Sequence, residues 1–148
     1  MCNEIEFRIW DKENKKMLYY NNDIVPCLTL NGVLQDCSKK VPTNVSYKYI
    51  LMQWTGLKDK NNIKIYTEDV IKFENKIYKI KFFNKWGMFG LIGKSDYKDF
   101  TEEDPLGSGG SSTTYKPYVL GKYYQKRIEV VGNIYENKYL LVVLKEQK

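Results

Sequence analysis

The stretch Asp69-Val70-Ile71-Lys72-Phe73-Glu74-Asn75-Lys76-Ile77-Tyr78-Lys79-Ile80-Lys81-Phe82-Phe83-Asn84-Lys85-Trp86-Gly87-Met88-Phe89-Gly90-Leu91-Ile92 decides the fold class. Three apolar runs are separated by two short polar turns, Glu74-Asn75-Lys76 and Asn84-Lys85-Trp86-Gly87. In the middle run Tyr78, Ile80 and Phe82 fall on one face and Lys79 and Lys81 on the other, the period of two that strands require. Three strands joined by such short turns form a meander, the local unit of a small barrel or curled sheet.

Working outward, residues 4–20 read as a hairpin. Ile5, Phe7 and Ile9 alternate with Glu4, Glu6 and Arg8, Asp11–Lys16 turns the chain, and Met17–Tyr20 returns. A second hairpin is expected about Asn31-Gly32, a pair suited to a two-residue type I′ turn, with arms Cys27–Leu30 and Val33–Cys37. Pro26 suits a strand start or an edge position there. Val45–Trp54 reads as a strand ending at Thr55-Gly56, and Lys58–Asn62 as a turn. Further on, the pattern predicts a strand over Arg127–Val131, a turn at Gly132-Asn133, a helical turn over Ile134–Tyr139 and a last strand over Leu140–Leu144.

Composition agrees with a mainly β chain. The 148 residues include 13 tyrosines and no alanine, so strand formers replace the best helix former. That length suits a single domain, residues 1–148, able to bury a core without disulfide or metal staples. Residues 95–114 stand apart: an acidic stretch leads into Gly107-Ser108-Gly109-Gly110-Ser111-Ser112-Thr113-Thr114, expected to be a flexible exposed loop.

Several chemistries lack their side chains. Histidine is absent, which removes the Ser-His-Asp and Cys-His arrangements and the ordinary imidazole base. No phosphate-binding loop or nucleophile elbow occurs. Cys2, Cys27 and Cys37 are too few for a structural zinc site and are expected to be reduced thiols. The acidic residues Asp96, Asp99, Glu102, Glu103 and Asp104 match no calcium loop and are expected to be solvated. No catalytic residue, metal or cofactor is therefore assigned, and an enzyme is not expected. No apolar run is long enough to span a membrane and no secretory leader is visible, so a cytoplasmic protein is expected.

The net charge of +6 comes almost wholly from lysine, Arg8 and Arg127 being the two arginines. Lysine interleaved with aromatics suits single-stranded nucleic acid. Lys79, Lys81, Lys85 and Trp86 in the central meander, with Lys116, Tyr118, Lys122 and Tyr123 further on, make the candidate binding surface. The plain alternative is a hairpin whose rings pack inwards and whose lysines confer solubility.

Three stretches resemble the YopX proteins of Gram-positive phages and prophages. They are Phe7-Arg8-Ile9-Trp10-Asp11-Lys12 with Lys16-Met17-Leu18-Tyr19; Leu51-Met52-Gln53-Trp54-Thr55-Gly56-Leu57-Lys58-Asp59-Lys60-Asn61 with Ile65-Tyr66-Thr67-Glu68-Asp69-Val70-Ile71-Lys72-Phe73; and Val130-Val131-Gly132-Asn133-Ile134-Tyr135-Glu136-Asn137. Trp10, Asp11, Gln53, Trp54, Thr55, Gly56, Leu57, Asp59 and Asp69 are the family-like motif positions. The sequence departs from the family pattern where glycine is replaced, at Asn62 and within Thr67-Glu68, and in the Gly/Ser run.

The resemblance implies a mainly β phage or prophage protein in a bacterial host and carries over no catalytic residue. The enrichment in Lys, Asn, Ile, Tyr and Phe fits an AT-rich genome of that kind. The expected function is an accessory binding protein for a host or phage macromolecule. Nucleic-acid binding by the basic hairpin is one alternative. Sequestration of a host immune factor or nucleotide signal is another. Self-association through strand edges also stays open.

Overall fold

The computed structural model describes residues 5–20, 26–38, 40–84, 87–93 and 118–146. The expected loop at 95–114 lies outside these residues, as do Cys2, Lys85, Trp86 and Lys116. The fold is mainly β, built from antiparallel hairpins with a curled sheet, one helix and two 3-10 turns among the described residues. Two compact units divide the chain, Met1–Trp54 and Thr55–Lys148.

In the first unit, β1 (Phe7–Asp11) and β2 (Lys16–Tyr19) form the expected hairpin, with Ile9 opposite Leu18. The other side of β1 pairs with β6 (Tyr49–Lys58), Ile9 facing Leu51. The simple in-out alternation expected of β1 does not hold, because Arg8, Ile9, Trp10 and Asp11 are all buried. Arg8 Nε donates to the sulfur of Met52, directly opposite on β6, at 3.4 Å.

Also in this unit, β3 (Cys27–Leu28), β4 (Leu34–Asp36) and β5 (Thr43–Asn44) form a sheet in that order. Pro26 precedes the edge strand β3, where a missing N–H costs no ladder bond. The hairpin turn differs from expectation. Thr29 N–H donates to the Val33 carbonyl at 2.9 Å, Gly32 has φ of 80°, and Asn31 keeps a negative φ. The connection is thus a three-residue loop with glycine in the left-handed position rather than a type I′ turn. A 3-10 turn over Ser46–Lys48 replaces the start of the expected 45–54 strand, and β6 runs on to Lys58 through Gly56, whose φ is 80°.

The second unit holds β7 (Lys64–Tyr66), β8 (Asp69–Phe73), β9 (Lys76–Phe83), β10 (Met88–Ile92), β11 (Tyr118–Val119) and β12 (Glu129–Asn133). The predicted meander is present: β8, β9 and β10 lie side by side within the order β11-β10-β9-β8-β12. Glu74 and Asn75 both take positive φ, 48° and 64°, so a two-residue turn of type I′ form closes β8 onto β9 without a glycine.

Residue alternation along this sheet feeds two apolar clusters. Ile71, Phe73, Ile80 and Leu91 pack with Leu57, Ile65, Leu120 and Ile128, joined by Tyr78, Phe89 and Val130. Val70 belongs to the other cluster, with Ile134, Leu140, Leu144 and the partly buried Ile77 and Val131. The second cluster requires a helix. Tyr139–Glu146 forms α1, in place of the strand expected over 140–144. Leu140 and Leu144 are four residues apart, on one helical face, and both are buried. The β-branched pair Val142-Val143 biased the local reading towards strand, and packing overrode that bias. Likewise Arg127 lies at the end of a 3-10 turn, Lys122–Arg127, rather than in a strand. β12 carries on through Gly132-Asn133 with a bulge between Val130 and Gly132, where a turn was expected.

Candidate functional site: a cleft in the N-terminal unit

A cleft of about 580 Å³ opens in the first unit, among Pro26, Cys27, Asp36, Cys37, Ser38, Thr43, Asn44 and Tyr47–Tyr49. Its walls are the ends of β3 and β4, β5, and the 3-10 turn that follows. Local hydrogen bonds fix each wall. Asn44 Oδ1 accepts from Ser46 N–H at 2.9 Å, which starts the 3-10 turn, and Ser46 Oγ accepts from Leu34 N–H at 2.9 Å. Val45 N–H donates to the Leu34 carbonyl at 2.9 Å. The Asp36 carboxylate accepts from Ser38 N–H at 3.0 Å and bends the chain just past Cys37.

Charge enters the cleft through Asp36 and Lys48. Lys48 Nζ lies 3.1 Å from Glu13, and that hydrogen bond and charge raise its pKa. It therefore stays an ammonium, 5.8 Å from the centroid of the Tyr47 ring. Tyr47 is exposed, and its carbonyl accepts from Lys12 Nζ at 2.6 Å. Burial, then the charge of Asp11, pushes the Tyr49 phenol up, so it stays neutral. The Cys37 thiol is raised first by its hydrogen bond to Cys27, then by burial and by the charges of Cys27 and Asp36. The cleft thus offers hydroxyls, amides, an exposed ring face, one cation and one anion.

None of the family-like motif residues lines this cleft. Asp11, 6% exposed, accepts from the Glu13 and Asn14 N–H groups at 2.9 Å and from Asn14 Nδ2 at 2.8 Å, closing the β1–β2 turn. Trp10 is buried in the same strand. Gln53 lies opposite Phe7 on β6, and Trp54 N–H donates to the Glu6 carbonyl at 2.8 Å. Thr55 Oγ1 donates to the Ile65 carbonyl at 2.9 Å and accepts from Leu57 N–H, across the positive-φ Gly56. Leu57 lies in the core. Asp59 and Asp69 are buried; Asp69 Oδ2 accepts from Tyr66 N–H at 2.8 Å. Asn62 and Glu68, at the departures from the family's glycines, both have positive φ, 66° and 69°. Asp11, Gly56, Asp59, Asn62 and Glu68 thus sit at chain turns or positive-φ positions, while Trp10 and Leu57 are buried.

The structure describes part of the candidate basic surface. Lys79 on β9 is largely buried and lies 3.1 Å from Glu68, and Lys81 is half-buried. The neighbouring rings of Phe82 and Phe89 meet edge to face with centroids 5.0 Å apart, and Tyr78 packs against the core. Lys122 and Tyr123 are exposed on the 3-10 turn at 122–127. Lys85, Trp86 and Lys116 and the side chain of Tyr118 lie outside the described residues. Among the described residues no group of three or more Cys, Asp or Glu is arranged to hold a metal. Nor is any helix there long and apolar enough to cross a membrane.

Sequence reasoning missed the cleft residues Asp36, Tyr47, Lys48 and Tyr49. The available signal was the second hairpin itself, since two cysteines bracket its arms.

The family model described as YopX protein matches residues 6–142. Among solved structures the chain is similar to a crystal structure of a protein from Enterococcus faecalis, at 23% sequence identity, covering 95% of this chain and 99% of that one, with a TM-score of 0.50. That likeness is one of fold. No curated protein matches the chain.

Proposed function

Because the chain belongs to the YopX family, we propose that it is an accessory binding protein, encoded by a phage or prophage and without catalytic activity, that takes a host or phage protein in the cleft of its N-terminal unit. The observation that carries this reading is the lining of the cleft. Thr43, Asn44, Ser38 and the exposed Tyr47 ring supply hydrogen bonds and a flat apolar face, with both signs of charge present. A polyanion calls for several cations, and this cleft presents Lys48, already engaged by Glu13. The polar groups buried in the described turns support the same reading, because Asp11 and Asp59 spend their carboxylates on backbone N–H groups. A bacterial cytoplasm is the compartment this proposal implies.

The test is affinity capture from phage-infected host extract with the wild-type protein beside Tyr47→Ala and Thr43→Arg, followed by measured binding of the captured protein. We expect Tyr47→Ala to weaken binding roughly tenfold, the loss typical of truncating an aromatic anchor, and Thr43→Arg to abolish it. Binding that both variants leave unchanged overturns the reading. Capture of nucleic acid instead, with steep salt dependence removed by Lys79→Glu with Lys81→Glu, replaces it with the nucleic-acid alternative. Uptake of a cyclic or linear nucleotide in calorimetry replaces it with sequestration of a nucleotide signal.

A further inference from the structure

The mouth of the cleft carries two thiols on adjoining chain segments. Cys27 and Cys37 are both free and exposed, and both line the cleft. In the β3–β4 register Cys27 is directly opposite Gln35, and Cys37 follows two residues on, diagonal to Cys27 and just past the end of β4. Diagonal neighbours in a regular ladder have Cα atoms about 7–8 Å apart, at the outer limit for a disulfide. The ladder ends here, however. The bond from Ser38 N–H to the Asp36 carboxylate turns the chain as it leaves β4. Past that bend Cys37 lines the same cleft as Cys27.

We propose that Cys27 and Cys37 are a thiol–disulfide exchange site, closing to an intramolecular disulfide across the mouth of the cleft on reaction with a low-molecular-weight disulfide. The chemistry balances in two exchanges. Cys27 loses its proton and attacks one sulfur of the small disulfide, whose S–S bond breaks to release one small thiolate. Cys37 then loses its proton and attacks the Cys27 sulfur of the mixed disulfide, forming the Cys27–Cys37 bond and releasing the second small thiolate. The two protons leave with the two small thiols; the protein pair is oxidised by two electrons and the small disulfide reduced by two. Closure draws the sulfurs to about 2.05 Å, a movement met by side-chain rotation and a shift of the turn after Asp36. Exposure places the resulting bond in the labile, reversible class rather than the structural one. None of this depends on what the cleft binds.

The experiment uses the full chain with Cys2→Ser, so that the third thiol cannot exchange, in glutathione disulfide with a range of reduced glutathione. Cleavage after lysine leaves both cysteines in one peptide, residues 17–39, whose mass reports the outcome. We expect that peptide to lose two hydrogens, at least tenfold in excess over glutathione adducts, and to regain them in excess reduced thiol. Further replacement Cys27→Ser or Cys37→Ser should leave a stable glutathione adduct on the remaining cysteine. Adducts accumulating on both cysteines of the Cys2→Ser chain without a cross-link, or cross-links that join two chains, overturn the proposal.

Discussion

Asp59 Oδ2 accepts a hydrogen bond from the backbone N–H of Val130 at 2.9 Å, joining positions 71 apart in the chain. The other oxygen of the same carboxylate accepts from Asn61 and Ile63 N–H at 2.8 and 2.9 Å. One side chain therefore shapes the turn before β7 and anchors β12 beside it. Next to it, Lys60 N–H donates to the Ile128 carbonyl at 3.0 Å, and its ammonium lies 2.6 Å from Glu129.

Asp59→Ala leaves three backbone donors without their acceptor at a residue that is 5% exposed. We expect a loss of about 3 kcal/mol, the scale of leaving buried donors unsatisfied. Asp59→Asn keeps one carbonyl oxygen and should lose less, through the Val130 bond. Lys60→Ala removes an exposed ion pair and should cost under about 1 kcal/mol. Urea unfolding of the three variants checks the order, which fails if Lys60→Ala proves the most damaging.

Gly132 and Gly56 separate conformational from steric demand. Both have positive φ, but a Cβ on Gly56 meets nothing within 4 Å. On Gly132 it overlaps the Asn137 side-chain amide, whose Oδ1 accepts from Asn133 N–H, and presses on Leu140. Gly56→Ala should cost about 1–2 kcal/mol, the left-handed penalty alone. Gly132→Ala should cost clearly more and shift the amide resonances of α1. Equal losses for the two would contradict this account.

The C-terminal segment distinguishes helix from strand by alanine replacement. A strand places residues 140, 142 and 144 on one face, whereas α1 buries Leu140 and Leu144 and leaves Val142 exposed. Leu144→Ala should destabilise by about 2–5 kcal/mol and Val142→Ala by at most about 0.5 kcal/mol. Thermal melts read both, and a large Val142 effect speaks for a strand.

Asp11 sets a pH dependence. Burial pushes its carboxyl up, but the hydrogen bonds from Asn14 and Glu13 and the charge of Lys48 together hold it below the ordinary value of 3.8. A depressed folded-state pKa means that the unfolded chain takes up the proton first as pH falls. The stabilisation is therefore complete above the unfolded value and is lost as pH drops below 3.8 through the folded value. The urea-midpoint difference between wild type and Asp11→Asn should be flat from neutrality to about pH 5 and shrink below pH 4. A difference that grows on acidification would reverse the assigned sign.

Much of the sheet was legible because its signals are local. The alternation of Tyr78, Ile80 and Phe82 and the turn at Glu74-Asn75 are properties of neighbouring residues. The same alternation was incomplete as a guide to burial. Lys79 shares its face with Ile77, which packs into the second cluster, and with the buried Phe83. Both faces of β9 are covered in part, and the sequence pattern alone does not reveal the second cover. Of the candidate surface, Lys79 meets Glu68 from eleven positions away, a pairing no local motif announces. The cleft was illegible for a related reason: Ser46 must reach Leu34, and Asn44 must sit opposite Gln35, before its walls exist.

The amino-acid order by itself determined the hairpins and the mainly β class, and, Gly132-Asn133 apart, it placed chain reversals at turn-forming residues, because strand period and turn chemistry act between residues a few positions apart. It also withheld the imidazole that most proton-transfer sites use. Only the tertiary structure decided that Leu140–Leu144 coils into a helix, that Arg8 is buried against Met52, and that Asp59 captures β12. In each case the deciding partner is dozens of residues away or more, and the free energy of burying apolar surface and pairing polar groups with that partner exceeds the local preference.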